Sequence, residues 1–237
     1  MKTAPDICIV TPCYHPREGW HQALADRFAA LQKRLPTLQM GLIVVNDGDP
    51  AAFSEAAVTF LKSQVPGITL LSYPDNKGKG AALRYGIRQA AASAYVLTDI
   101  DFPYTLDSMA AVMQQAVDSG GIVLGHRDQS YYQKVPFFRR MLSQAFRVLL
   151  RMWLRLPTDD TQCGLKAFDN AGRAIFLETS VDRFLFDLEF LVLVRKKVPV
   201  HLVEVQLKEG VVFSNMGLGI LLTEMKNLLH ILWRSWR

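Results

Sequence analysis

The chain is predicted to be an α/β protein built on an open, mostly parallel sheet with helices on both faces. Three observations carry that expectation. Short apolar runs alternate with amphipathic stretches of helical length. The runs are apolar throughout, as strands covered on both faces are. Clusters of Asp, Asn and Gly close them. At 237 residues, 50% hydrophobic and 21% charged, the chain can bury one large core, and a disordered or fibrous protein is excluded.

The elements follow in order. Residues 7–10 (ICIV) form a first buried strand, ended by Thr11-Pro12. Residues 21–35 place Leu24, Phe28 and Leu31 on one face with Arg27, Lys33 and Arg34 between them, which is a helix. Residues 42–45 (LIVV) are a second strand, closed by the turn Asn46-Asp47-Gly48-Asp49-Pro50. Residues 51–64 are helical, 68–73 a strand, 79–92 an Ala-rich helix, 94–98 a strand, 106–119 a helix and 122–125 a fifth strand. Beyond about residue 133 the pattern changes. Residues 135–156 are helical, 158–168 polar with one Gly, 186–197 helical, 200–207 a strand and 218–236 a final amphipathic helix. There is no internal repeat and no Gly/Ser linker, so the second half packs on the first. The division expected is 6–130 for one half, 131–215 for the other, and 216–237 for the terminal helix.

Cys8, Cys13 and Cys163 are odd in number, lack a CxxC and lack zinc spacing, so they read as free or buried thiols in a reducing compartment. The first residues show no signal peptide, and no uncharged run reaches the length of a spanning helix.

Chemistry is concentrated at the expected C-terminal strand ends, where open α/β sheets bind ligands. Asp99-Ile100-Asp101 follows the fourth strand, and two carboxylates so spaced can converge on Mg²⁺ or Mn²⁺ carried with a diphosphate. A plain turn is the alternative. Asp47 lies at another strand end, placed to accept from a base or ribose, or to cap a solvated turn. In Asn76-Lys77-Gly78-Lys79-Gly80, Gly78 and Gly80 permit close backbone approach before a helix N-terminus. This is neither a P-loop nor a dinucleotide fingerprint, which argues against nucleotide kinases and NAD-dependent dehydrogenases.

Six motifs in order then carry a resemblance: Thr11-Pro12-Cys13-Tyr14, residues 44–48, residues 76–80, Asp99-Ile100-Asp101, Gly125-His126-Arg127 and residues 160–168. Together they resemble inverting family 2 glycosyltransferases of the Rossmann-like GT-A fold over residues 6–215. The stretch 160–168, followed by Phe186-Asp187-Leu188-Glu189, is most similar to the dolichyl-phosphate β-glucosyltransferase and polyprenyl-phosphate mannose synthase branch. The resemblance implies that Pro12, Tyr14 and Asp47 hold the nucleoside of a nucleotide-diphosphate sugar, with Lys79 and Ile100 in the same site. Asp99 and Asp101 match the metal–diphosphate motif, Arg127 lies near the phosphates, and Gln162 lies in the sugar pocket. Arg139 and Ser143 meet the phosphate of a polyprenyl (undecaprenyl or dolichyl) acceptor. Asp101, Arg127 and Gln162 are the expected catalytic set, with Mg²⁺ or Mn²⁺ as cofactor, UDP-glucose the favoured donor and GDP-mannose open. The chain departs from the pattern at Asn46 (usually Asp), His15-Pro16 (usually Asn-Glu), Pro103 (often polar) and His126 (usually Ser). A phosphate monoester is already ionised near neutrality, so no general base is required. Asp187 and Glu189 keep structural, sugar-binding and catalytic readings side by side.

The net charge of +5 is unevenly spread. Residues 134–155 hold six cations and no acid, interleaved with Phe, Leu and Trp, and residues 225–237 hold three more beside Trp233 and Trp236. Such helices suit an anionic membrane surface. The expectation is a cytoplasmic protein, peripheral on the inner membrane face by itself or with the help of a membrane-protein partner, and not a nucleic-acid binder. Two alternatives stand beside it. One is a family 2 transferase acting on a soluble or glycan hydroxyl. The other is a non-catalytic membrane-binding module on the same scaffold.

Overall fold

The computed structural model describes residues 4–127, 152–195, 197–210 and 218–235. Most of the 135–156 stretch, with Arg139 and Ser143, lies outside them. Seven strands form one sheet: β1 (Ile7–Cys13), β2 (Met40–Asp47), β3 (Thr69–Tyr73), β4 (Ala94–Leu97), β5 (Ile122–Arg127), β6 (Lys166–Asp169) and β7 (Val200–Val205). Their order is β3-β2-β1-β4-β6-β5-β7. Every pairing is parallel except those of β6, which runs antiparallel to both β4 and β5. The helices are α1 (Trp20–Arg34), α2 (Glu55–Gln64), α3 (Lys79–Gln89), α4 (Leu106–Ser119), α5 (Asn170–Leu177), α6 (Phe186–Val194) and α7 (Leu218–Ser235).

Alternation along each strand feeds two cores. Ile7, Ile9, Leu42, Val44, Val96 and Val123 face α1, α2 and α4, meeting Leu24, Phe28, Leu61, Met109 and Met113. Cys8, Val10, Ile43, Val45, Tyr95 and Phe168 face α3, α5 and α6, meeting Leu83, Ile87, Phe176, Phe186 and Phe190. Thr105 and Ser54 cap α4 and α2 by accepting from Ser108 N and Ala57 N, which fixes where these helices begin.

The fold agrees with the expectation, with two additions. The polar stretch 158–168 ends in a buried strand, β6, and α5 follows it. Lys166 disguises β6, because a lysine at the start of a four-residue strand reads as exposed although its side chain is 1% exposed. The second correction concerns α2. Asp49 holds residues 49–51 as a turn, by accepting from Ala51 N, so the helix starts at Glu55 and not at residue 51.

The terminal helix α7 is fastened from one side. Glu224 accepts from Phe184 N and Leu185 N at the start of α6, and Ile231 is buried. Arg234 pairs with the buried Glu189 at 2.6 Å. Arg234 is therefore an internal tie and not one of the outward cations expected of the tail. Met225, Leu229 and Trp233 lie at i, i+4 and i+8 and are more than half exposed. No described helix is long and apolar enough to cross a membrane.

Candidate active site

The functional side chains gather at the C-terminal ends of β1, β2, β4 and β5, with the turn before β6 laid across them. At the end of β2, Asp47 is buried and its carboxylate is fully used. It accepts from Tyr73 Oη (2.6 Å), Asn76 Nδ2 (3.0 Å), Lys77 N (2.8 Å) and Gly78 N (2.9 Å). That carboxylate fills the anion-binding turn before α3. Gly48 permits the approach: its φ is 75°, and a Cβ there would lie 2.2 Å from Asn76 N. The close approach expected at Gly78 and Gly80 is made to the protein itself, against the Asp182 and Val181 carbonyls. Asn46 locks the same turn, accepting from Asp49 N and donating to Asp49 O. Asp49 in turn accepts from His15 N at 2.9 Å and lies 3.2 Å from His15 Nδ1. Burial alone would raise the Asp49 pKa, but its bonds to Ala51, His15 and the His15 ring hold it below the usual carboxylate value. Tyr14, half exposed, stands against the His15 ring at the end of β1, with Pro12 one turn of strand behind.

At the end of β4 the chemistry differs. Asp99 meets Lys79 Nζ at 2.6 Å and remains 40% exposed. Burial would lower the Lys79 ammonium, but Asp99 and Asp187 beside it raise it above its ordinary value. Asp101 is exposed, and its backbone carbonyl accepts from Lys208 Nζ at 2.5 Å. Burial lowers the Lys208 pKa, against the opposing pull of Asp101. Arg27 donates to the carbonyls of Phe102 and Tyr104, which pins the loop from below. Phe102 follows with φ 44°, a conformation rare outside glycine and one that recurs at functional loops. Ile100 packs its side chain into the α4-facing core.

Arg127, at the end of β5, clasps Asp160. Its Nε and backbone N both donate to Asp160 Oδ2 at 2.9 Å, and its Nη2 to Oδ1. Burial would raise the Asp160 pKa, but Arg127 holds it below the usual value. Lys166 reaches back from β6 to Asp187 at 2.7 Å and to the carbonyls of Thr161 and Cys163. Burial raises the Asp187 pKa despite Lys166 and Lys79. Gly164 lies directly against the acids: a Cβ there would be 3.0 Å from Asp99 Oδ2 and 3.7 Å from Lys79 Nζ. Gln162, on the same turn, is exposed. Glu189 does not share this site. It accepts from Ser180 N, Ser180 Oγ and Val181 N and binds Arg234, which makes it a structural carboxylate.

The structure thus gathers Asp99, Asp101, Lys79, Arg127 and the Gln162 turn on one side, with Pro12, Tyr14 and Asp47 along the neighbouring strand ends. Arg139 and Ser143 lie outside the described residues. Sequence reading gave no separate role to Lys166, Lys208, Tyr104 or Cys163. Tyr104 Oη accepts from Gly164 N at 2.9 Å and sits 3.3 Å from Cys163 Sγ. A lysine two residues after a Gly was the one available signal.

The model of the family described as "Glycosyl transferase family 2" matches residues 8–183. The chain belongs to glycosyl transferase family 2. Among its relatives is the dolichyl-phosphate beta-glucosyltransferase of Drosophila melanogaster, 27% identical over 86% of this chain and 67% of the relative. The chain spans 59–67% of the length of the first three curated relatives it matches. Its fold is that of mannosyl-3-phosphoglycerate synthase from Rubrobacter xylanophilus (TM-score 0.68, 16% identity, 98% of this chain and 74% of that one). The mannosyltransferase PcManGT from Pyrobaculum calidifontis, solved with GDP-Man and Mn²⁺, shares it too (TM-score 0.56, 16% identity, 85% and 55%).

Among the described residues no group of three or more His, Cys, Asp or Glu side chains is arranged to hold a metal. The donor set nevertheless fits Mg²⁺ or Mn²⁺ in one particular mode. Such ions take one or two carboxylates and complete their shell with water and substrate phosphate oxygens. Asp101 and Asp99 offer two accessible carboxylates, and Asp99 directs Oδ2 at the Gly164 turn.

Proposed function

We propose that the chain transfers a hexose, with inversion, from a nucleotide-diphosphate sugar to a polyprenyl phosphate, with UDP-glucose ahead of GDP-mannose as donor. The observation that carries the acceptor class is the state of the carboxylates. Asp47, Asp49, Asp160 and Asp187, the carboxylates buried at this end of the sheet, are all engaged by cations, hydroxyls or backbone N–H groups. A sugar hydroxyl needs a base to take its proton, whereas a phosphate monoester attacks as it stands. The similarity to dolichyl-phosphate glucosyltransferases supports the same class.

In this reading Tyr14 and Pro12 receive the nucleoside, on a turn that Asp47 keeps rigid. Asp99 and Asp101 would hold Mg²⁺ or Mn²⁺, which supplies positive charge to the departing diphosphate. Arg127 and Lys208 add cations already oriented by Asp160 and by the Asp101 carbonyl. Their task is to hold two anionic groups in line with the anomeric carbon. Gln162 meets the sugar, and Arg139 with Ser143 the acceptor phosphate. The exposed ridge Met225, Leu229 and Trp233 supports peripheral attachment to a membrane, taken in this reading on its inner, cytoplasmic face. Met152 and Trp153 are likewise exposed, and Arg195 ties the two segments by donating to the carbonyls of Leu154 and Ser235.

The test is incubation of the purified chain with Mg²⁺ or Mn²⁺ and a panel of nucleotide sugars, with and without undecaprenyl or dolichyl phosphate. Lipid-linked hexose that disappears in Asp101→Ala supports the proposal. Turnover on a water-soluble acceptor alone, or no turnover with any donor, overturns it.

A further inference from the structure

Lys166 and Asp187 form an ion pair with 1% and 7% of their side chains exposed. Removing two charges from water costs more than such a pair commonly returns, and apolar residues of equal size often fill the space as well or better. Stability is therefore a weak reason for this pair. Its remaining bonds suggest another. Lys166 Nζ donates to the carbonyls of Thr161 and Cys163, so one ammonium closes the turn from residue 161 to residue 164. Asp187, in the first turn of α6, fixes that ammonium from the other side. The turn presents Gly164 to Asp99 Oδ2 and Lys79 Nζ, and Tyr104 Oη takes the Gly164 N–H. Gln162 rides on the same turn, exposed toward solvent.

We propose that Lys166, held by Asp187, is a positioning residue that fixes the turn 161–164 against Asp99 and thereby sets where Gln162 meets the donor sugar. The pair touches no substrate. It acts through two carbonyl bonds to one turn and one carboxylate bond to α6. The proposal rests on the transfer reading above. The nucleoside end of the site, built on β1 and β2, shares none of these bonds.

The experiment replaces the pair by apolar residues of similar volume, Lys166→Met with Asp187→Leu. The expected protein melts at or above the wild-type temperature and binds free UDP or GDP as before. Its kcat falls about a hundredfold, the cost of a misplacement near 1 Å. Amide hydrogen exchange at Cys163 and Gly164 accelerates. Lys166→Gln keeps a donor for the carbonyls and recovers most of the rate that Lys166→Met loses. Unchanged exchange at those amides, in the double variant or in Lys166→Met should the double variant not fold, overturns the positioning role whatever the transfer assay gives. Equal rates for Lys166→Gln and Lys166→Met overturn it as well. A wild-type chain without hexose transfer sinks the transfer reading alone, since the exchange measurement stands without turnover.

Discussion

The ends of β2 and β4 lie one strand apart, with β1 between them, yet they handle their carboxylates in opposite ways. At β2, Asp47 and Asp49 are sunk into the protein and satisfied mainly by backbone N–H groups and neutral side chains. At β4 and beyond, Asp99, Asp160 and Asp187 each face a lysine or arginine, and Asp101 stands in solvent with Lys208 beside it. The first arrangement makes a rigid turn. The second makes an array of balanced charges, which under the proposed function an anionic ligand would enter. Rigidity suits a surface that receives a flat base and ribose, and balanced charge suits a diphosphate whose negative charge grows as it leaves.

The largest break in this comparison is expected at Asp101. Asp101→Ala lowers hexose transfer about a thousandfold, while the exposed site leaves the melting temperature unchanged. Parallel activity and melting measurements separate the two effects. Asp47→Ala does the reverse. It strands the buried Gly78 N–H and its neighbours, costs about 3 kcal/mol, and lowers the melting temperature by roughly 6–12 °C. A scanning calorimetry trace that matches wild type would remove the structural role assigned to Asp47.

Gly164→Ala sharpens the boundary between the two regions. Its Cβ would press on Asp99 Oδ2, and either the turn or the carboxylate has to shift. The expected loss is about tenfold to a hundredfold in kcat with nucleotide affinity kept. Steady-state kinetics beside nucleotide titration would reveal any loss of affinity, and such a loss would place Gly164 at the nucleoside end instead.

The smallest effect is a difference in pH dependence. Asp49 has a folded pKa below its unfolded value of about 3.9. Its contribution is present above that pH and lost as pH falls through the lowered value. Asp187 is raised, so the folded state takes up its proton first, and its contribution grows as pH falls from the raised value through about 3.9. Urea midpoints measured across the acid range test this. Asp49→Asn flattens the acid loss and Asp187→Asn steepens it; shifts of the same sign would contradict the contrast.

Most of the sheet was legible because β1, β2, β4 and β5 hold continuous apolar runs, those of β2 and β4 closed by acidic turns, and a parallel strand buried on both faces admits few other patterns. Asp99 and Asp101 were legible for the same reason, since a strand end fixes where the next side chains stand. β6 was not legible. Its burial depends on a partner for Lys166 that lies 21 residues further on, in α6. Glu189 and Asp187 could not be told apart either, because two acids two residues apart in one helix turn differ only in what other elements bring to them.

What the sequence by itself determined was the order of strands and helices apart from β6 and α5, the family and the acidic strand ends, because periodicity and turn chemistry act over a few residues. Only the tertiary structure decided which carboxylate meets which cation. Asp47 closes a turn, Arg127 clasps Asp160, Arg234 ties down a helix and Lys166 crosses to Asp187. These pairings join residues 30 to 45 positions apart in three cases and 21 in the fourth. Charge carries no address along a chain, and packing alone selects the partner.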